Sequence, residues 1–268
     1  MPDLRPSLLA PHRKPSRLVH GFLSRLLGWV AGLFSDVDVV GLEHVPQRGG
    51  AVLVCNHRSL FDAVALAAAL DRTGRDAMVL AKAELFRARL VGSVLRRAGV
   101  IPVHRGTDRA ADALTSAVAS LRGGELVAVF PEGTIPKDGV LLPFKSGAAR
   151  MALQAGVPVV PVALVGTDHV IASNAQRVKR TLWRRTADRA DIDVVIGAPI
   201  HLQPGHDPDA VERATGSLRT AVADLLAEHD RPAPPSHRTR DLALAALASV
   251  PLVGYLVRRR LGRRLGRR

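Results

Sequence analysis

Ala51-Val52-Leu53-Val54-Cys55-Asn56-His57-Arg58-Ser59-Leu60-Phe61-Asp62 is the stretch on which the fold of this chain turns. The apolar run Ala51 to Cys55, broken by Asn-His, predicts a buried strand emerging at a sheet edge. The Ala- and Leu-rich segment 61–70 predicts a helix, with Asp62 in its first turn, where a carboxylate is favoured. A loop histidine beside a helix-start aspartate can donate one ring N–H to it. That bond fixes the tautomer and leaves the other ring nitrogen as a general base. The same spacing also fits an ordinary turn histidine next to a helix N-terminal acid. One His and one Asp are too few ligands for a metal site. Ser59 lacks the G-x-S-x-G elbow of a nucleophilic serine.

Outward from this stretch, short β-rich runs alternate with longer helical ones. Strands are expected at 37–40, 51–55, 77–81, 100–103, 126–130, 157–165 and 192–196. Helices are expected at 61–70, 84–98, 109–122, 144–155 and 209–229, with Gly99, Gly123-Gly124 and Gly156 as stops. The alternation predicts an α/β domain built on a largely parallel sheet flanked by helices. The motifs fall at strand ends, where open α/β sheets place ligands.

A second polar break, Phe130-Pro131-Glu132-Gly133-Thr134, follows the apolar run 126–129. With the His-x4-Asp stretch it resembles the glycerolipid acyltransferase family, which includes 1-acylglycerol-3-phosphate acyltransferases. The family's intermediate Arg-bearing box resembles Gly99-Val100-Ile101-Pro102-Val103-His104-Arg105-Gly106, and its apolar Pro box resembles Val157-Pro158-Val159-Val160-Pro161-Val162. The four boxes stand in family order across roughly residues 40 to 200. Two positions depart from the pattern: Ile135-Pro136 follows Thr134 where the family often has Arg, and His104 precedes Arg105 where an acidic or apolar residue is usual. Both lie where the family is thought to hold the acceptor's phosphate.

The resemblance implies acyl transfer from acyl-CoA or an acyl-carrier protein to the hydroxyl of a lysophospholipid. The donor is a substrate, and no cofactor or metal is implied. His57 is the implied general base and Asp62 its partner. Arg105 is implied to grip the acceptor's phosphate with two parallel hydrogen bonds. Glu132, Gly133 and Thr134 are implied to bind the acceptor, with Lys82 and Lys145 as further phosphate candidates. Without the resemblance, the same residues read as a surface arginine, a paired loop carboxylate and an ordinary turn. A hydrolase using His57 to activate water and a non-catalytic membrane-binding protein are the rival readings. Another lysophospholipid or a glycolipid remains an alternative acceptor.

Composition bounds the rest. At 268 residues and 47% hydrophobic content, the chain can bury one sizeable core. The single cysteine, Cys55, excludes an intramolecular disulfide, fits a reducing compartment, and reads as a small core residue. Only 3% of residues are aromatic, which argues against base-stacking platforms, and no nucleic-acid-binding motif accompanies the +14 charge. Seven arginines within 258–268 supply half of that charge. They follow an uncharged segment, 242–257, that contains Pro251. As a helix it would reach about 24 Å, short of the ~30 Å hydrocarbon core. With the amphipathic pattern of 18–34, this predicts an anionic membrane surface as partner and a peripheral or monotopic location on the cytoplasmic face. The basic stretch 177–185, which mixes Arg and Lys with Leu182 and Trp183, suits lipid headgroups, CoA phosphates or a solvated loop. The expected organisation is an N-terminal amphipathic, membrane-docking segment over 1–36, an acyltransferase catalytic domain over 37–230, and a Pro-rich linker, apolar segment and Arg-rich tail over 231–268.

Overall fold

The structure, a computed structural model, describes residues 35–87, 100–103, 110–136, 138–170, 190–205 and 207–229, with positions 25, 29, 32, 92, 93, 95 and 96. Strand β2 (Ala51–Cys55) is buried at every position. Parallel strands covered on both faces read as continuous apolar runs rather than as an alternation. β2 lies in the middle of the sheet, paired in parallel with β5 (Leu126–Val129) on one side and β6 (Val159–Val165) on the other. With β1 (Ser35–Val40), β3 (Ala77–Lys82), β4 (Ile101–Val103) and β7 (Ala190–Ile196), the strand order is β1-β7-β6-β2-β5-β3-β4.

The sheet is largely parallel, as expected, with one reversal. β7 runs antiparallel to β6, and β1 pairs in parallel with β7, so β1 and β7 run against the other strands. β1 begins at Ser35, which brings Ser35 and Asp36 into the sheet rather than into the expected 1–36 segment. The helix expected at 84–98 opens as a 3-10 turn, Ala83–Arg87, with helical backbone again at 92, 93, 95 and 96. It follows Lys82 without a loop residue, and the tighter i→i+3 turn takes up the change of direction.

Helix α1 (Asp62–Asp71) covers one face of the sheet. Its Ala65, Leu66, Ala69 and Leu70, with Phe61, pack on Leu53, Cys55, Leu126, Ala128, Val160, Val162 and Leu164. The opposite face carries α2 (Ala110–Arg122), α3 (Gly147–Ala155) and α5 (Pro208–His229) over Val52, Val54, Val127, Val159 and Ala163. The single turn α4 (Thr167–Val170) follows β6. Each fully buried Leu or Val side chain contributes about 1.5–3 kcal/mol. This three-layer packing makes β2 a rigid support for whatever leaves its end.

Because β2, β3, β5 and β6 run the same way, their carboxyl ends share one edge. Arg105, the stretch 177–185, the tail 231–268 and most of the N-terminal segment lie outside the described residues. Among the described residues, no helix is long and apolar enough to cross a membrane.

Candidate active site

The chain leaves β2 through Asn56, which is buried and replaces the next rung of the ladder with its own amide. Its Nδ2 donates to Leu164 O at 2.9 Å and its Oδ1 accepts from Leu164 N–H at 2.7 Å. The loop end is thereby pinned to β6 one residue before His57.

His57 is partly exposed, its side chain at 21%, while Asp62 is fully buried. His57 Nδ1 lies 2.7 Å from Asp62 Oδ2. The same Oδ2 accepts from Ser59 N–H at 2.9 Å, and Oδ1 accepts from the Thr167 hydroxyl at 2.5 Å. Donors at both oxygens make the carboxylate the accepting partner, so the shared proton rests on Nδ1. Nε2 is left as the nitrogen that can take a proton. Asp62 opens α1, where the helix dipole adds to the stabilisation of its charge. The imidazole stacks on Phe130, with ring centroids 4.5 Å apart and planes inclined by 29°.

Ser59 is buried, and its Oγ accepts from Phe61 N–H at 3.0 Å, shaping the turn into α1. Burial pushes the Cys55 thiol far above its ordinary value, and the Asp62 charge adds to the shift. Cys55 is therefore an inert core residue.

Glu132, which the resemblance implies binds the acceptor, lies against the His57 backbone. It is 4% exposed, and both its oxygens take backbone donors. Oε1 accepts from His57 N–H at 2.7 Å and Oε2 from Leu142 N–H at 3.0 Å. Burial raises its carboxyl above the usual range, against the lowering effect of the Leu142 and His57 bonds. Its geometry is that of a brace under the His57 backbone. Gly133 adopts φ +72°, a left-handed turn that favours glycine, and its N–H returns to Phe130 O at 3.0 Å. Thr134 is exposed one residue on.

The lysines lie farther out. Lys82 ends β3 on the same sheet edge, 55% exposed, with Nζ 3.4 Å from Glu84 Oε1. Lys145 is exposed just before α3, and its backbone N–H donates to Pro131 O at 3.0 Å. Arg105 falls two residues beyond β4, outside the described residues. The structure thus brings together His57, Asp62 and Glu132 and sets Lys82 and Lys145 at the surface.

Three participants had no assigned role in the sequence: Asn56, Thr167 and Arg219. Asn56 stood inside the quoted motif, and Gly166-Thr167 directly follows the apolar run of β6, the same strand-end signal that marked His57. Arg219 of α5 donates to Leu141 O at 2.9 Å and Leu142 O at 3.3 Å, bracing the segment whose amide binds Glu132. No local signal points to it.

Residues 36–165 match the family profile described as Acyltransferase. The chain is 31% identical over 188 residues to the chloroplastic 1-acyl-sn-glycerol-3-phosphate acyltransferase BAT2 of Brassica napus, covering 69% of this chain and 51% of that protein. It is 32% identical over 192 residues to the 1-acyl-sn-glycerol-3-phosphate acyltransferase alpha of Bos taurus, covering 70% and 63%. The chain thus spans about half to two thirds of the length of these relatives. The crystal structure of the 1-acyl-sn-glycerophosphate acyltransferase PlsC from Thermotoga maritima shares the fold, with a TM-score of 0.58 over 83% of this chain and 86% of that one at 24% identity. Its boxes, their order and these matches place the chain in the glycerolipid acyltransferase family, to which it belongs.

Proposed function

We propose that the protein is an O-acyltransferase that moves a fatty acyl group from an acyl thioester to the free hydroxyl of 1-acylglycerol-3-phosphate, giving phosphatidic acid. The observation that carries this reading is the 2.7 Å contact between His57 Nδ1 and a buried Asp62 at the carboxyl edge of the sheet. His57 Nε2 takes the proton of the acceptor hydroxyl as its oxygen attacks the thioester carbonyl. The tetrahedral oxyanion collapses, the carbon–sulfur bond breaks, and the thiolate leaves with the proton returned by His57. Asp62 holds the ring and stabilises its transient charge, as the acid of a Ser-His-Asp triad does. The substrate oxygen replaces the enzyme serine, so no acyl-enzyme forms, in keeping with the buried, hydrogen-bonded Ser59.

Acyl-CoA or acyl-carrier protein supplies the acyl group. Arg105 grips the acceptor's phosphate, with Lys82 and Lys145 as further phosphate candidates and the Thr134 hydroxyl as a donor to the acceptor. The apolar segment 242–257 and the seven arginines after it hold the protein peripherally on an anionic, cytoplasmic membrane face.

The test incubates the full chain with an acyl thioester, with and without a panel of lysophospholipid acceptors. Acylated product that depends on acceptor and on His57 is expected, with 1-acylglycerol-3-phosphate the preferred acceptor. Free fatty acid released at the same rate with or without acceptor would make the protein a hydrolase. Preference for an acceptor without a terminal phosphate would displace phosphatidic acid as the product, and Ile135-Pro136 and His104 are where that difference would originate.

A further inference from the structure

Both ends of the His57–Asp62 loop are registered to one short run, the end of β6 and the turn after it. Asn56, before His57, is bound through both its amide groups to Leu164. Asp62 is bound through Oδ1 to Thr167, three residues farther along. The turn between them admits little variation. Gly166 adopts φ +81°, and a Cβ there would meet Asp191 O at 2.3 Å. The position therefore demands glycine, and it delivers Thr167 to the first place of α4 with its side chain completely buried.

A threonine at a helix start ordinarily accepts a backbone N–H with its hydroxyl. Here the hydroxyl donates to the carboxylate oxygen that His57 does not use. Thr167 also lies beyond residues 36–165, the segment that matches the family profile.

We infer that Thr167 is a positioning residue, the third member of a Thr167–Asp62–His57 chain, whose hydroxyl fixes the carboxylate rotation that aims His57 Nε2 at the acceptor. A carboxylate held at one oxygen only by His57 and Ser59 can swing about its Cβ–Cγ bond and carry the imidazole with it. A donor on the second oxygen removes that freedom. This inference rests on the acyltransferase reading for its kinetic consequence but not for its geometry.

The experiment compares Thr167→Val, which removes the donor at nearly constant volume, with Thr167→Ser, which keeps it, both in the full chain. Thr167→Val is expected to lower kcat by about 10- to 100-fold, the range for losing a hydrogen bond to a charged group, with KM for both substrates changed less than about twofold. Thr167→Ser is expected to restore most of kcat. In an Asp62→Ala background, Thr167→Val should bring no further loss, because the partner through which it acts is gone. A second readout needs no substrate: the His57 Nδ1 proton resonance should move in Thr167→Val and stay in place in Thr167→Ser. An unmoved resonance in Thr167→Val overturns the inference, as does an undiminished kcat or an additive loss on Asp62→Ala. A wild-type chain that acylates no acceptor defeats the proposed function instead, and the resonance then decides the role of Thr167.

Discussion

Asp62, at the turn after β2, and Lys82, at the end of β3, stand on the same sheet edge in opposite conditions. Asp62 is fully buried and takes donors from His57, Ser59 and Thr167. Lys82 is 55% exposed, with one Glu84 oxygen 3.4 Å away. Around β2, polar groups withdrawn from water must be bonded, since each buried polar atom left without a partner costs about 1–3 kcal/mol. Bonded, they hold one geometry. An exposed cation on a flexible stem keeps its hydration and its freedom, and it supplies charge without direction. The centre of the edge thus holds the His57 ring and the Asp62 carboxylate in one geometry. Its β3 flank carries an exposed lysine beside Glu84.

The widest breach of this contrast should come from His57→Ala, with turnover lowered by a factor on the order of 10²–10⁴, the usual contribution of a general base. Asp62→Asn should cost less, because it perturbs the base without removing it. Steady-state kinetics of the folded variants checks both, and near-normal turnover in His57→Ala would remove the histidine from the chemistry.

Glu132→Gln probes the brace rather than the base. An amide presents a donor to one of the two backbone N–H groups that Glu132 now binds, so one bond is lost. Turnover should fall by about tenfold, the scale of a single charge-assisted hydrogen bond, with KM for the acceptor little changed. A selective rise in acceptor KM would instead return Glu132 to the substrate-binding role that the family resemblance implies. The sign of the pH effect follows from the raised carboxyl. Its stabilising contribution is complete below the ordinary glutamate value of 4.5 and is lost as pH rises through the higher folded value. The thermal stability of the wild type relative to Glu132→Gln should therefore shrink with rising pH in a window opening just above 4.5. A gap that widens over that window would contradict burial as the dominant effect.

Arg105→Ala should raise KM for a phosphate-bearing acceptor and leave that for the acyl donor nearly unchanged, as loss of a paired phosphate contact does. Weakened donor binding alone would move this arginine to the thioester carrier. The smallest effect belongs to Lys82→Ala. An exposed ion pair contributes about 0–1 kcal/mol, so melting temperature should barely change, and any loss of acceptor binding should fade at high salt. A large drop in stability would mean that the β3 flank is organised like the centre.

Much of the architecture was legible along the chain. β2 was predicted with its observed bounds, because a strand buried on both faces is an unbroken apolar run, and Asn56 marks where burial on the ladder ends. The end of β6 at Val165 and the glycine stops at Gly123-Gly124 and Gly156 were legible for the same local reason, and β5 ends one residue earlier than expected, at Val129. The identity and spacing of His57 and Asp62 were likewise written in the sequence, since five residues suffice to carry a loop into the first turn of a helix. Only the tertiary structure decided what surrounds them. Glu132 reaches the His57 amide across 75 positions, Thr167 reaches Asp62 across 105, and Asn56 reaches Leu164 across 108. Those partnerships exist because β5 and β6 flank β2, and the reversal of β7 and β1 belongs to the same order of strands. Local propensity and periodicity report the conformation of neighbouring residues. Which strands lie side by side is settled by burying both faces of the whole sheet at once, and no short segment contains that condition.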